Sequence, residues 1–532
     1  MRGLFDRWTL STLVIVGVFM FWAAGRYTVF DDEANSCRRY VLPVGEMVSA
    51  LWKGVEPDPP LYYLLQNRWV RLFGVGPLGL RSMSILFFLA GVVTVRAAAE
   101  SWFDAPTGRS AMLIAALHPA HLFFGFAGRW YAMMFCLVAA LLFVTGRLYR
   151  GRGGRRSGMI AWTAIATAVC YTNYFGPVVV GLVWLVAIAD AVRTKRMWRG
   201  WVIAAAAVIA LYSPWGPPFV FELTRFPEVG GSWFAYVATA GRTGLALLTG
   251  NLASVRALWA WAPMSVFAIA AGALLVRHWR TVWPIAVIVV GCLVAGIASL
   301  SMKDKYIMTF TAPVCILAAA LLVFGLRKNA GRGNKSITRV ATAALIVGWA
   351  GCAVNLVTQN HWSSLRWLDP FEEATREVHR TLASDPDLVL VVTHPSAWYY
   401  LGCLGAIEQG VDGRQGWRRI PAERWRRAEQ SGPGPLPITN VQACKPQDIL
   451  PAVRDGSAVV ERWVTIETAE YAGDPAWSEF RQHLEAAFES VAVKSYLEDA
   501  DAALKDRLDP RFKHPRKRIV VRHWVRHHVF DK

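Results

Sequence analysis

The chain has 532 residues, of which 54% are apolar and only 18% charged, and its formal net charge is +19. A soluble protein of this length carries about 25% charged residues, so the composition excludes an ordinary soluble protein. The 25 tryptophans and 26 phenylalanines favour a lipid environment over nucleic-acid binding as the reason for the basic character. The eight cysteines show no CxxC pair and no zinc-ligand spacing.

Eleven apolar stretches before residue 360 are long enough to cross a bilayer core of about 30 Å as helices. They are residues 10–30, 78–99, 107–127, 129–148, 157–172, 174–192, 200–221, 257–276, 281–300, 306–326 and 338–358. The fifth and sixth stretches are short, so ten or twelve crossings are alternatives. The first stretch continues past Ala24 and further spans follow, which favours an uncleaved anchor over a signal peptide.

Basic residues are concentrated in alternate connections between these spans. Residues 147–156, 193–199, 277–280 and 327–339 hold five, four, two and five Lys or Arg. The positive-inside rule therefore predicts a cytoplasmic N-terminus in the inner membrane and an extracytoplasmic C-terminus. The net charge supports this interpretation, because residues 1–359 carry +20 and the remainder carries −1.

The sequence predicts a polytopic α-helical membrane domain over residues 1–359, followed by a small soluble α/β domain over 360–532. In the first outer loop, residues 31–77, two amphipathic stretches at 41–52 and 60–74 are typical of helices at the membrane surface. The tail predicts a helix starting at Asp369-Pro370 and strands at residues 388–393, 458–466 and 518–530.

Acidic residues at the start of the first outer loop are the strongest local signal. Asp31, Asp32 and Glu33 are adjacent carboxylates that repel one another, so they need a partner or a cation. Such a group suits a general base or a divalent-cation site, and a solvated acidic loop explains it equally well. Asp58 lies in a stiff Pro-Asp-Pro-Pro segment, which suits a positioned functional group or a plain turn.

Four motifs resemble one family. The run FDDEANSC…EPDPPLYYLLQNRWVRLFG over residues 30–74 resembles the first outer loop of GT-C superfamily glycosyltransferases, specifically glycosyltransferase family 39, which includes protein mannosyltransferases and aminoarabinose transferases. LHPAHLFFGFAGRWYAM at 117–133, CYTNYFG at 170–176 and DKYIMTFTAPVCILAAALL at 304–322 are similar to three further family motifs, in the family's order.

The resemblance implies transfer of a sugar from a polyprenyl-phosphate donor to a glycan, lipid or protein acceptor, with inversion, and no nucleic-acid partner. Asp32 stands at the family's catalytic Asp, with Glu33 beside it, and Asp58 is a third candidate catalytic carboxylate. The resemblance assigns donor or substrate binding to His121, Arg129, Tyr131, Asn173, Lys305 and Tyr306.

The sequence departs from the family pattern at three positions. Ala127 replaces a Glu, while Asp58 and Asn173 each replace a His. A divalent cation such as Mg²⁺ or Mn²⁺ therefore stays an open alternative, with Asp31, Asp32, Glu33 or Asp58 as its ligands.

A transporter or flippase, and a catalytically silent relative, are the alternative functions.

The tail offers two further features. A disulfide between Cys403 and Cys444 is possible in an oxidising compartment, and the four histidines from His514 to His528 favour a basic edge strand over a metal site.

Overall fold

The computed structural model describes residues 6–27, 29, 31–40, 42–54, 58–152, 154–225, 233–250, 258–298, 304–327 and 331–358 of the membrane half. In the tail it describes residues 389–392, 462–468, 479, 481–482, 484–485, 488–497 and 518–526. The described membrane half is almost entirely helical, whereas the described tail is mainly strand.

The first half of the described helices comprises α1 (Arg7–Arg26), α2 (Asp31–Tyr40), α3 (Val44–Trp52), α4 (Leu61–Phe73), α5 (Pro77–Trp102), α6 (Ala105–Leu117), α7 (Pro119–Phe124) and α8 (Tyr131–Tyr149). The second half comprises α9 (Arg155–Cys170), α10 (Gly176–Arg193), α11 (Trp198–Tyr212), α12 (Gly216–Arg225), α13 (Trp233–Thr249), α14 (Leu258–Ala298), α15 (Thr311–Leu326) and α16 (Arg332–Thr358). Short 3-10 helices lie at Ser213–Trp215 and Asp304–Thr309. Helices α3 and α4 confirm the two amphipathic helices predicted in the first outer loop.

Seven helices in the described part of the chain are long and apolar enough to cross a bilayer. They are Arg7–Arg26, Pro77–Trp102, Tyr131–Tyr149, Gly176–Arg193, Trp198–Thr224, Ala262–Ala298 and Arg332–Leu356, and Thr311–Leu326 is apolar but shorter. The predicted polytopic helical membrane protein is therefore confirmed, while the count of eleven crossings stays a prediction.

Two predicted spans differ in detail from the structure. The stretch 107–127 is divided into α6 and α7, because Pro119 disfavours a helical conformation at His118, which is extended at φ −60° and ψ 126°. Stretches 257–276 and 281–300 are joined in α14, a continuous helix of 41 residues. Its contour length is about 60 Å, which is twice the thickness of the bilayer core.

The two parts of α14 pack against different helices. Met264 and Phe267 form a buried cluster with Ala341 and Leu345 of α16. Further along α14, Gly291 lies so close to α10 that an added Cβ would approach a Leu182 methyl carbon to 2.5 Å. Small residues at such crossings allow the close helix contacts that stabilise membrane bundles.

The chain divides into two compact units. The first unit comprises Met1–Gly25, Pro43–Arg68 and Arg81–Ser363. The second comprises Arg26–Leu42, Trp69–Leu80 and Ser364–Lys532, so helix α2 belongs to the same unit as the tail. The boundary between 359 and 360 stays a prediction.

The described tail contains a four-stranded sheet in the order β1-β2-β4-β3, formed by β1 (Val389–Val392), β2 (Arg462–Thr468), β3 (Phe488–Leu497) and β4 (Arg518–Arg526). β1 pairs parallel with β2, and the other pairs are antiparallel. Three of these strands overlap the predicted ones, and β3 was not predicted. The helix predicted to start at Asp369 lies outside the described residues, and so do Cys403 and Cys444. The tail histidines also lie outside them, except for His523.

Candidate functional site

Three connecting segments of the first unit bring Asp58, Arg129 and Asn173 together. Asp58 lies just before α4, Arg129 lies between α7 and α8, and Asn173 lies between α9 and α10. The start of α4 is held against the third segment because the Leu61 N–H donates to the Tyr171 carbonyl at 3.0 Å. Each of the three side chains thus lies in a connecting segment that is flanked by a helix on one or both sides.

The Asp58 carboxylate accepts hydrogen bonds at both oxygens. Arg129 Nη2 donates to Asp58 Oδ2 at 2.8 Å, and Asn173 Nδ2 donates to Asp58 Oδ1 at 3.2 Å. Arg129 Nη1 also donates to the Tyr63 hydroxyl at 3.0 Å. Arg129 and Asp58 are only 5% and 2% exposed, so this network is shielded from solvent.

The orientation of the Asn173 amide is set by its own turn. The Phe175 backbone N–H donates to Asn173 Oδ1 at 2.9 Å, which leaves the amide NH2 group directed at Asp58. An amide at this position donates a hydrogen bond without adding charge, so the carboxylate is compensated by Arg129 alone among these partners.

The buried pair of Arg129 and Asp58 is costly to desolvate and is stable only when both charges and their hydrogen bonds are present. Guanidinium stays protonated in proteins, so Asp58 is paired as a carboxylate. The resemblance assigned Arg129 to the donor phosphate, whereas the structure places a protein carboxylate on its guanidinium. The geometry therefore favours Arg129 as the group that orients Asp58.

Asp58 does not fit the role of a metal ligand in this arrangement. Its two oxygens face a guanidinium and an amide NH2 group, and a divalent cation there would be repelled by Arg129 at close range. Among the residues whose side chains the structure describes, no group of three His, Cys, Asp or Glu residues could hold a metal ion.

The backbone of the Arg129 turn is held by α4 and α5. The Ser84 hydroxyl donates to the Arg129 carbonyl at 3.3 Å. The same hydroxyl is also hydrogen-bonded to the Tyr62 hydroxyl at 2.9 Å. Arg81 lies 5.4 Å over the Phe126 ring in the same connection. The Pro-Pro-Leu-Tyr-Tyr run thus supplies two tyrosines that are hydrogen-bonded to the Arg129 turn. Tyr63 contacts Arg129 directly, and Tyr62 is linked to it through Ser84.

Aromatic rings link the Arg129 turn to the 3-10 helix Asp304–Thr309. The Trp130 and Tyr306 rings are stacked with centroids 5.8 Å apart and an interplanar angle of 12°. The Phe175 ring lies 5.5 Å from Tyr306, and Tyr131 meets Trp130 edge to face at 4.7 Å. Tyr131, Tyr306 and the Asn173 turn therefore belong to one contiguous part of the unit. The side chain of Lys305 lies outside the described set, although its backbone belongs to this 3-10 helix.

His121 is fully buried, and both of its ring nitrogens have partners. Nδ1 lies 2.6 Å from the Ala115 carbonyl, and Nε2 lies 2.8 Å from the Thr311 hydroxyl. His121 therefore connects α6, α7 and α15.

The end of α13 also packs closely on α7. A Cβ added at Gly250 would lie 2.1 Å from the Ala120 nitrogen. Gly250 also has φ +58°, a backbone conformation that favours glycine.

The acidic motif opens helix α2 in the second unit. Asp31, Asp32 and Glu33 occupy its first turn, where carboxylates interact favourably with the helix dipole. Asp32 is half-buried and Glu33 is fully buried, whereas the Asp31 side chain is outside the described set. The motif is thus mounted on a helix, and the simple solvated loop considered from the sequence does not describe it.

Sequence reasoning missed several members of the network. Tyr63 lies in a motif that carries the resemblance, yet nothing in the sequence linked its hydroxyl to Arg129. Ser84 lies within the predicted span 78–99, and Trp130 lies at the edge of the predicted span 129–148. Their roles depend on contacts between distant segments, which no local pattern reports.

No protein-family profile and no curated protein matches the sequence. Solved structures do match. ArnT from Cupriavidus metallidurans bound to undecaprenyl phosphate aligns over 97% of this chain and 98% of its own, with 14% identity and a TM-score of 0.54. Its apo structure aligns over 97% of both chains, with 13% identity and a TM-score of 0.53.

The arabinofuranosyltransferase AftD from Mycobacteria aligns over 98% of this chain and 40% of its own, with 14% identity and a TM-score of 0.52. ArnT and AftD are GT-C superfamily glycosyltransferases. The chain shares their fold, which confirms the resemblance noted in the sequence at the level of the fold.

Proposed function

We propose that this protein is a membrane glycosyltransferase that transfers a sugar from a polyprenyl-phosphate donor to an acceptor outside the cytoplasm. The observation that carries the proposal is the buried network of Asp58, Arg129 and Asn173, built in a fold shared with a protein that binds undecaprenyl phosphate. A buried charge network that joins three connecting segments is expensive for a purely structural element and is typical of functional sites.

In the proposed reaction, Asp32 acts as the general base. It accepts the proton of the acceptor hydroxyl while that oxygen attacks the anomeric carbon of the sugar. The bond between this carbon and the phosphate oxygen breaks, and the lipid phosphate leaves with the electron pair, which inverts the anomeric configuration. The Lys305 ammonium stabilises the negative charge on the departing phosphate.

Glu33 supports Asp32 in the same helical turn, and Asp58 is positioned by Arg129 and Asn173 rather than acting as the base. Tyr131 and Tyr306 line the donor site, and His121 positions the helices behind them. If the enzyme uses Mg²⁺ or Mn²⁺, the carboxylates of Asp31, Asp32 and Glu33 are its candidate ligands, because a hard cation takes carboxylate oxygens and Asp58 already faces the Arg129 guanidinium.

The proposed topology has the N-terminus in the cytoplasm and the tail outside it. Two of the basic connections converge in the structure: Arg327 forms an ion pair with Asp104, and Arg150 Nη1 donates to the Phe103 carbonyl at 3.1 Å. Basic connections grouped at one end of the bundle are what the positive-inside rule requires of a cytoplasmic face.

Transfer by purified Asp32→Asn protein from undecaprenyl-phosphate-linked sugars tests the proposal. Loss of the general base is expected to reduce transfer by about 10²- to 10⁴-fold. Asp190→Asn is the control variant. Asp190 pairs with the exposed Arg193 at 3.0 Å and interacts with Tyr149 of α8, outside the proposed site, so this variant is expected to retain activity.

Equal rates for Asp32→Asn and wild type would refute the catalytic role of Asp32. Absence of transfer by the wild-type protein to cell-envelope glycans, lipids and proteins would favour a silent relative. Lipid-linked sugar crossing a vesicle bilayer without transfer would favour a flippase.

A further inference from the structure

Three buried polar groups, on the 3-10 helix Asp304–Thr309 or on segments that contact it, have no hydrogen-bond partner among the residues that the structure describes. They are the indole N–H of Trp130 and the hydroxyls of Thr309 and Thr243. Trp130 and Thr309 are 1% exposed and Thr243 is 3% exposed, so bulk water does not reach them. A buried polar group without a partner costs about 1–3 kcal/mol, and in native proteins it calls for a specific explanation.

Trp130 and Thr309 lie on the same side of the 3-10 helix. The Trp130 ring is stacked on Tyr306. Residues three apart in a 3-10 helix are eclipsed, so Thr309 lies on the face that Tyr306 occupies. Thr243 lies on α13, which packs against the same 3-10 helix. Three contacting segments of the first unit therefore carry unpartnered polar groups.

The chemistry of these groups distinguishes between the parts of a lipid-linked sugar. An indole N–H and two hydroxyls are neutral, and a phosphate is normally bound by cations or by several charge-assisted hydrogen bonds. Sugar hydroxyls are neutral donors and acceptors that match them. The adjoining aromatic rings supply apolar surface of the kind that accompanies a few placed polar groups in small-molecule sites.

We infer that Trp130 and Thr309, together with Thr243 on the contacting helix α13, bind hydroxyl groups of the donor sugar. This inference rests on the proposed function and specifies which part of the donor each group contacts. A site that hydrogen-bonds substrate hydroxyls discriminates strongly against sugars that lack one, because its buried polar groups are then left unpaired. These residues therefore select the sugar, while the lipid phosphate is held elsewhere.

Binding of lipid probes to full-length Thr309→Val protein tests the inference. The probes are undecaprenyl phosphate and the same lipid phosphate carrying glucose, mannose or arabinose. The wild type is expected to bind at least one sugar-linked lipid more tightly than the bare lipid phosphate. In Thr309→Val this sugar-dependent gain is expected to fall by about 3- to 10-fold, while the affinity for undecaprenyl phosphate is unchanged. Trp130→Phe is expected to change the same quantity in the same direction.

Thr145→Val is the matched control. Thr145 is also buried, but its hydroxyl donates to the Leu141 carbonyl at 2.7 Å and accepts from the Trp162 indole at 3.1 Å. This variant is expected to lose thermal stability and to keep the sugar-dependent affinity. Thr309→Val is expected to be at least as stable as the wild type, because it removes a buried hydroxyl that has no partner.

Three results would overturn the inference: a wild type that does not distinguish sugar-linked lipids from the bare lipid phosphate, a Thr309→Val variant that binds both equally weakly, or one with unchanged sugar-dependent affinity. A destabilised Thr309→Val protein would likewise show that the hydroxyl has a structural partner. Because binding is measured without transfer, sugar recognition without any transferase activity would reject the proposed function and leave the inference standing.

Discussion

Two buried arginines in the first unit are neutralised in different ways. Arg96 lies in α5, and the Arg129 turn is attached to the same helix through Ser84. Ser84 and Arg96 are twelve positions apart, which corresponds to about 18 Å of helix, so the two networks lie towards opposite ends of one span.

The Arg96 network is open to water through its carboxylates. Arg96 donates through both terminal nitrogens to the Asp6 carboxylate, at 3.0 Å each, and through Nε to Glu100 at 2.9 Å. The Asp6 and Glu100 side chains are 25% and 29% exposed. This network joins α1 to α5 and resembles an ordinary structural ion pair at a helix end.

In the Arg129 network, by contrast, the Asp58 carboxylate is inaccessible to water. Asp58 is 71 residues away in the chain, and Asn173 is 115 residues from Asp58. A buried Arg–Asp pair is therefore not by itself a sign of function. What distinguishes the Asp58 site is that the carboxylate itself is buried and that Arg129 and Asn173 reach it from two other connecting segments.

The largest effect on stability is expected for Asp58→Asn. It leaves the Arg129 charge buried without its carboxylate, and breaking a buried pair in this way typically costs about 3–5 kcal/mol. The free energy of unfolding in mixed detergent micelles measures the change. The double variant Asp58→Leu/Arg129→Met, which removes both charges, is expected to lose less than Asp58→Asn. An Asp58→Asn protein as stable as the wild type would remove the distinction between the two networks.

A smaller loss is expected for Arg96→Met. This variant keeps the apolar volume of the side chain and leaves two carboxylates that can hydrate, so only the charged hydrogen bonds are lost, at a cost of about 1–3 kcal/mol. The same unfolding measurement applies. If Arg96→Met destabilised the protein more than Asp58→Asn, burial of the carboxylate would not be the property that separates the networks.

The smallest effect concerns acid stability. Hydrogen bonds from Arg96, and then from the Thr9 backbone N–H, hold the pKa of Asp6 well below its usual range. A lowered folded-state pKa stabilises the protein fully above the unfolded value of about 3.9, and this stabilisation is lost as the pH falls below it. Thermal melting between pH 6 and pH 3 is therefore expected to show a shallower acid decline for Asp6→Asn than for the wild type. Parallel curves would show that Asp6 is not linked to folding in this way.

Much of the helical architecture could be predicted from the sequence, because it depends on local patterns. Apolar run length identified the spans, and amphipathic periodicity identified α3 and α4. The continuity of α14 was missed because basic residues at 277–280 were interpreted as a loop, although none of them breaks a helix. Strand β3 was missed because Glu489, Ala492 and Lys494, which are residue types depleted in strands, interrupt its aromatic and β-branched residues.

The candidate site could be predicted only as a set of residue types. Asp58 stood out through its proline-rich segment, and Arg129 and Asn173 stood out through the family resemblance. Their mutual pairing was not predicted, and the resemblance assigned Arg129 to a phosphate. Thr309 carried no signal at all, because a threonine is unusual only when its hydroxyl is buried without a partner.

The sequence by itself determined that this is a multi-span helical membrane protein, with basic residues in alternate connections and with acidic and polar residues at the span ends. These properties are sums over neighbouring residues, so composition and periodicity report them. Only the tertiary structure decided that Arg129 neutralises Asp58 and that Trp130 and Thr309 are buried with unpartnered polar groups. Such contacts depend on how helices distant in the chain pack together, because burial and hydrogen bonding are properties of the packed bundle.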